Sequence, residues 1–147
     1  MFQITIDCIS ASRMTQFWAA ALHYQVEPPP VGFATWNDYW RSIGVGENDL
    51  DQHGDGSDSL IDPAGRGPRI WFQEVPEPKR TKNRMHFDLG VGGKRDVSLQ
   101  TRKERVDAEV DRLVQLGATR LRQASTEGID HYGVAMHDPE GNEFDVN

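Results

Sequence analysis

Polar side chains that could bind a metal ion or a small molecule occupy every second position of the first segment. Residues 2–9 alternate strictly, with Gln3, Thr5 and Asp7 standing between apolar neighbours. Because successive side chains of a strand point to opposite faces, this alternation predicts a strand with the three polar groups on one face. Amide and carboxylate oxygens on one surface can coordinate a hard divalent ion or hydrogen-bond a ligand.

The same alternation returns in three later segments, whose polar positions are Arg69, Trp71 and Gln73, then His86 and Asp88, then Glu143 and Asp145. Trp71 stands out, because a large aromatic side chain among charged and amide groups favours a pocket or a subunit interface over open solvent. The alternative is that the polar face is simply the solvated side of a sheet. Alternation by itself leaves both interpretations open.

The predicted elements that position these residues occur in the same order twice. Helices are predicted from a cap at Ser10 or Ser12 to about Leu22, over 36–43 and over about 99–116, from apolar spacing and from capping residues. The turns DPAG at 62–65 and DPEG at 138–141 lie 76 residues apart, each between two strands. A duplicated plan follows, with module one at about 1–78 and module two at about 83–147 of a single domain spanning 1–147.

Composition excludes several classes of protein. The 147 residues are about one domain's worth, and 16 basic against 23 acidic side chains give a net charge of −7, which argues against nucleic acid as a partner. The one cysteine, Cys8, falls on the apolar side of its strand and is predicted to be a buried hydrophobe. The sequence has no apolar run long enough to span a membrane and no basic, apolar leader, so we expect a cytoplasmic protein without a membrane partner.

The order of several segments resembles the vicinal oxygen chelate superfamily, in particular its glyoxalase-like branch. These segments are ITIDC, FWAAAL, DPAGRGPRIWFQEVPEPK, KNRMHFDL, RVDAEVDRLVQLGATR and DPEGNEF, and together they extend over nearly the whole chain. The resemblance implies an α+β fold of two βαβββ modules, with helices outside and a curved mixed sheet forming a cup. The short helix at 36–43 is an insertion in this plan, and a homodimer is expected by family analogy.

In metal-dependent members of that superfamily, the ligands lie on the first and last strands of the two modules. The matching positions in this sequence are Gln3, Gln73, His86 and Asp145. This set would hold one divalent metal ion, although two neutral amides bind it less strongly than two carboxylates would. Glu74 would replace Gln73 only if a bulge re-aimed the strand, because a shift of one residue turns a side chain to the helix face.

The remaining polar positions predict a ligand pocket formed by Thr5, Asp7, Arg69, Trp71 and Asp88. The resemblance implies two functions: a metal-dependent lyase, isomerase or dioxygenase acting on a small oxygenated substrate, or a metal-free, ligand-sequestering protein of the bleomycin-resistance type. In the second case Trp71, with Trp36 or Trp40, would stack on the ligand. A third alternative is a cup that is vestigial or filled by a partner subunit. No residue is assigned a catalytic role.

Overall fold

The computed structural model describes residues 2–126 and 128–147, which form two compact units. Unit 1 spans Met1–Pro78 and unit 2 spans Lys79–Asn147. The described residues form one four-stranded mixed sheet in each unit and three α-helices in total. None of these helices is both long and apolar enough to cross a membrane.

Unit 1 contains β1 (Gln3–Cys8), α1 (Ala11–Leu22), β2 (Gln25–Val26), α2 (Trp36–Ser42), a 3-10 turn (Glu47–Asp49), β3 (Ser59–Ile61) and β4 (Arg69–Glu74). The sheet has the order β1-β4-β3-β2, in which β1 and β4 are parallel and the other pairs antiparallel. The core includes the fully buried Trp18 of α1 and Phe72 of β4. Burying aromatic and aliphatic area of this kind supplies most of the driving force for folding.

Unit 2 contains β5 (Asp88–Leu89), α3 (Leu99–Gln115), β6 (Thr119–Gln123), β7 (Val134–His137) and β8 (Glu143–Val146). Its sheet has the order β5-β8-β7-β6. As in unit 1, the first and last strands of the unit, here β5 and β8, are parallel, and the other pairs are antiparallel. The helix α3 buries Val106, Val110 and Leu113. Its repeat of three and four residues between buried positions is that of an amphipathic helix.

The expected α+β class and the two successive βαβββ units are confirmed. The inserted helix is also confirmed, and it begins where Thr35 Oγ1 accepts a hydrogen bond from the Asp38 N–H at 3.0 Å. Cys8 is buried, as expected. That the two units together make a single domain stays a prediction.

The strand expected over residues 84–91 is shorter than predicted. Only Asp88–Leu89 is regular strand, and Met85, expected on the buried face, is 87% exposed. Hydrogen bonds from Asp145 N to Phe87 O and from Asn147 N to Leu89 O extend the pairing with β8 at either end.

The two DPxG turns are built alike. Asp62 accepts hydrogen bonds from the backbone N–H groups of Ala64, Arg66 and Gly67, and these bonds lower the pKa of its carboxyl group. Asp138 accepts from the N–H groups of Glu140 and Asn142. Each aspartate therefore closes the connection between the last two strands of its unit by a local side-chain to backbone bond.

Glu143 fixes the irregular segment that leads into β5. One of its carboxylate oxygens accepts the Asn83 N–H at 2.9 Å and lies 2.9 Å from the Lys79 ammonium. Burial raises the pKa of Glu143, but the Asn83 N–H and the Lys79 ammonium more than offset burial, so the pKa falls to about 2. Residues 79–83 are therefore tied to β8 just before the chain reaches His86.

The lowered pKa of Glu143 predicts acid sensitivity of the fold. A carboxyl group whose pKa is lower in the folded state stabilises it above its ordinary value of 4.5, and this stability is lost as pH falls toward about 2. We therefore expect the free energy of unfolding, measured by urea titration at several pH values, to fall less steeply across this window in Glu143→Gln. The control Asp111→Asn, at an exposed position of α3, should retain the wild-type slope; an unchanged slope in Glu143→Gln would refute the assignment.

Candidate functional site

The parallel strands of unit 2 bring an imidazole and two carboxylates together. Asp88 lies directly opposite Asp145 in the β5–β8 pair. His86 precedes Asp88 by two residues, and its Nδ1 lies 3.0 Å from Asp88 Oδ1 and 3.8 Å from Asp145 Oδ2. One potential ligand atom from each of these residues lies within 4.8 Å of the others. We call His86, Asp88 and Asp145 the His–carboxylate cluster.

The composition of this cluster suits a divalent cation. One imidazole nitrogen and two carboxylates form a mixed donor set accepted by first-row divalent ions. The side chains of His86 and Asp145 are each 36% exposed and that of Asp88 is 57% exposed, so solutes can reach the ligand atoms. Two carboxylates at this separation repel each other, and a cation between them would remove the repulsion. In the part of the chain that the structure describes, no other group of three His, Cys, Asp or Glu side chains is this compact.

Unit 1 has the same strand plan with different residues. Its parallel pair sets Gln3 opposite Arg69, Thr5 opposite Trp71, and Asp7 opposite Gln73. Gln3 and Gln73 are thus four residues out of register, which corresponds to about 13 Å along the strands. The structure therefore does not bring Gln3 and Gln73 together as two ligands of one ion.

The counterpart of Asp145 in unit 1 is Trp71. Trp71 faces Ser59 across the β3–β4 pair, as Asp145 faces Ala135 across the β7–β8 pair. Arg69–Phe72 and Glu143–Val146 also share the same alternation of half-buried and buried positions. Gln73 lies two residues beyond this position, so unit 1 has an indole where unit 2 has a carboxylate.

Gln3 belongs to a network centred on Arg69. The Arg69 guanidinium donates to Gln3 Oε1 at 2.6 Å, to Glu27 Oε2 at 2.5 Å and to Ser59 Oγ at 2.7 Å. The amide oxygen that a metal ion would require therefore already accepts a charge-assisted hydrogen bond. Glu74 turns to the helix side, as the alternation implies, and its Oε1 accepts the Ala11 N–H at the start of α1.

The residues predicted to line a ligand pocket have different surroundings. Asp88 joins the His–carboxylate cluster, and Arg69 pairs with Glu27. Thr5 and Asp7 are exposed on β1, where Thr5 Oγ1 accepts a 3.4 Å hydrogen bond from Gln3. Trp71 lines a cavity of about 300 Å³ within unit 1. The pocket prediction as a whole stays a prediction, since its members are divided between the two units.

Sequence reasoning did not identify the groups that surround Trp71 in that cavity. Besides Trp71, the charged and indole side chains that line it are Trp40, Asp49, Asp51, Asp58 and Glu74. We call this space the acidic cavity. Its aspartates lie in a segment whose Gly, Asp and Asn content is typical of a loop. The sequence signal that could have found them is the density of carboxylates so close to Trp40.

One family model matches nearly the whole chain. The profile of the family described as "Glyoxalase-like domain" matches residues 3–147. No match was found among curated proteins.

Solved structures show the same fold at low sequence identity. A glyoxalase/bleomycin resistance protein/dioxygenase family enzyme from Burkholderia phytofirmans PsJN is 18% identical, with a TM-score of 0.58 and coverage of 99% of this chain and 94% of that one. A mutant of the fosfomycin resistance protein FosX from Listeria monocytogenes, complexed with Mn(II) and 1S,2S-dihydroxypropylphosphonic acid, is 11% identical. Its TM-score is 0.59, with 100% of this chain and 87% of that chain covered. A hypothetical protein from S. aureus is 14% identical, with a TM-score of 0.55 and coverage of 99% and 94%, respectively.

The Arg69 network predicts a structural role for this side chain. Replacing Arg69 by alanine leaves Ser59, which is 1% exposed, and Glu27 without their shared donor. We expect Arg69→Ala to lower the free energy of unfolding by about 1–3 kcal/mol, the cost of leaving such groups unsatisfied. Urea denaturation monitored by circular dichroism measures this loss. The exposed Arg66 provides the control, because Arg66→Ala should change stability far less; equal effects would argue against the network.

Proposed function

Because the chain belongs to the glyoxalase-like domain family, within the vicinal oxygen chelate superfamily, we propose that it binds a divalent metal ion and a small oxygenated molecule. The metal site in this proposal is the His–carboxylate cluster of unit 2. The observation that carries the proposal is the convergence of three potential ligand atoms within 4.8 Å at side chains open to solutes.

The residues of the cluster fit such an ion by number and by type. Three protein ligands leave coordination positions for a substrate or for water, the arrangement typical of catalytic rather than structural metal sites. When bound, the ion would act as a Lewis acid that polarises oxygen atoms of the small molecule. His86, Asp88 and Asp145 would hold the ion, and the pairing of β5 with β8 keeps the two carboxylates at the same level.

The structural neighbours guide the choice of ion and of ligand class. FosX from Listeria monocytogenes was crystallised with Mn(II) and a dihydroxypropylphosphonic acid, a small molecule rich in oxygen. At 11% identity this likeness extends to the fold and not to a substrate. It makes Mn(II) the first ion to test and a small molecule with adjacent oxygen atoms the first ligand class.

The metal-assisted reaction would be of the lyase, isomerase or dioxygenase type. These reactions share one requirement, the stabilisation of charge on substrate oxygens, and a metal ion meets it. The homodimer expected from the family resemblance and the cytoplasmic location expected from the sequence also stay predictions.

Titration with Mn(II) tests the proposal. Bound Mn(II) loses the sharp electron paramagnetic resonance signal of the hydrated ion, so the signal reports the free concentration. We expect one ion per chain in protein purified without a metal-affinity tag. His86→Ala, Asp88→Asn and Asp145→Asn should each weaken binding by more than about tenfold, since loss of even an outer-sphere partner costs that much.

The matched control is His53→Ala, which removes an exposed histidine of unit 1 that lies outside the cluster. Its affinity for Mn(II) should equal that of the wild type. Absence of binding in the wild type, or equal loss in His53→Ala and His86→Ala, would contradict the metal site. The metal-free, ligand-sequestering function would then be the better account of the fold.

A further inference from the structure

We infer that the acidic cavity of unit 1 is a binding site for a small organic cation, an amine that carries an apolar or aromatic body. This inference is independent of the metal site, because all the described residues that line the cavity belong to unit 1. Its volume of about 300 Å³ lies at the lower end of the ~300–1,000 Å³ range of small-molecule sites.

The lining of the cavity combines aromatic faces with carboxylates. The indoles of Trp40 and Trp71 contribute apolar surface, and no Lys, Arg or His side chain is among the described residues that line the space. In the described part of the chain, three of the lining carboxylates, those of Asp51, Asp58 and Glu74, accept hydrogen bonds from uncharged donors. Examples are Asp58, which accepts from Trp71 Nε1 at 2.7 Å, and Asp51, which accepts from the His53 N–H at 2.9 Å. Tryptophan faces and unpaired carboxylates are the two groups that attract organic cations most strongly.

Asn37 fixes the loop that carries Asp51 at the rim of the cavity. Asn37 lines the cavity, and its Oδ1 is buried without a hydrogen-bond partner in the described residues. Its Nδ2 donates to the backbone oxygens of Asp51 and Gly54, at 2.9 and 3.2 Å, which fixes the orientation of the amide. The Asn37 side chain therefore holds the backbone beside Asp51 in place, and its Oδ1 is closed to solvent and is not counted as a ligand contact.

The charge distribution of the chain supports a cationic ligand. Residues 1–78 contain 11 acidic and four basic side chains, so they carry the whole net charge of −7, whereas residues 79–147 contain 12 of each. Two of the four arginines, Arg41 and Arg69, are already paired with carboxylates outside the cavity. The resulting potential favours the approach of cations to this unit.

The spacing of the carboxylates argues for an organic cation rather than a metal ion. The compact group of potential metal ligands in the described residues is the His–carboxylate cluster, and the acidic cavity does not form one. Its negative charge is spread around a space bounded by indole rings. A spread-out field of this kind suits a bulky ammonium, in which the charge is shared with neighbouring carbon atoms.

A series of three probes that differ mainly in charge tests the inference in the wild-type protein. Calorimetry and tryptophan fluorescence in buffer containing a chelator would compare phenethylamine, the neutral phenethyl alcohol and the anionic phenylacetate. We expect the amine to bind at least about tenfold more tightly than the alcohol, as one favourable cation–π and carboxylate environment allows. Phenylacetate should not bind. Equal binding of amine and alcohol, or no binding of the amine, would overturn the inference.

Variants locate the binding site. Asp49→Asn and Asp58→Asn should each weaken binding of the amine several-fold, and Trp40→Leu should reduce both affinity and fluorescence change. Glu77→Gln removes the same charge from an exposed position outside the cavity and should retain wild-type affinity. Equal weakening in Glu77→Gln would show a general charge effect and refute the site. In chelator-free buffer, displacement of the amine by stoichiometric Ca²⁺ or Mg²⁺ would reassign the cavity to a metal ion.

Discussion

The parallel pairing between the first and last strands of each unit is the constraint on which the sites depend. In unit 2 this pairing sets Asp88 opposite Asp145 and brings His86 to the same place. In unit 1 it sets Thr5 opposite Trp71. A shift by two residues in either ladder would keep every side chain on its face but would change which side chains meet. The chemistry of each unit is therefore determined by register as much as by residue type.

The two units keep one strand plan and have diverged in their polar residues. The buried positions remain apolar, with Ile70 and Phe72 in β4 corresponding to Phe144 and Val146 in β8. The half-buried positions between them carry Trp71 in one unit and Asp145 in the other. Because the apolar face supplies the stability, the polar face is free to vary. Unit 2 gains a candidate metal site, whereas unit 1 gains an arginine network and an acidic cavity.

Alternation and capping residues were enough to predict most of the fold and the faces of the strands. Thr35 indicated the start of α2 correctly, and the polar positions of β1 and β4 were placed on the expected side. Alternation has a period of two and cannot distinguish Gln73 from Trp71, because both lie on the same face. The partnership of Asp88 with His86 was missed for the same reason. Sequence alone does not give the register between neighbouring strands, which decides how far along the sheet each side chain lies. The acidic cavity was missed because its three aspartates come from residues 49–58, which have no regular alternation.

A manganese anomalous-difference map from a crystal soaked in Mn(II) tests the central claim most directly. The account predicts one strong peak per chain, coordinated by His86, Asp88 and Asp145 together. A peak held by Gln3 or Gln73 without the His–carboxylate cluster, or the lack of any peak at the cluster at saturating Mn(II), would contradict it.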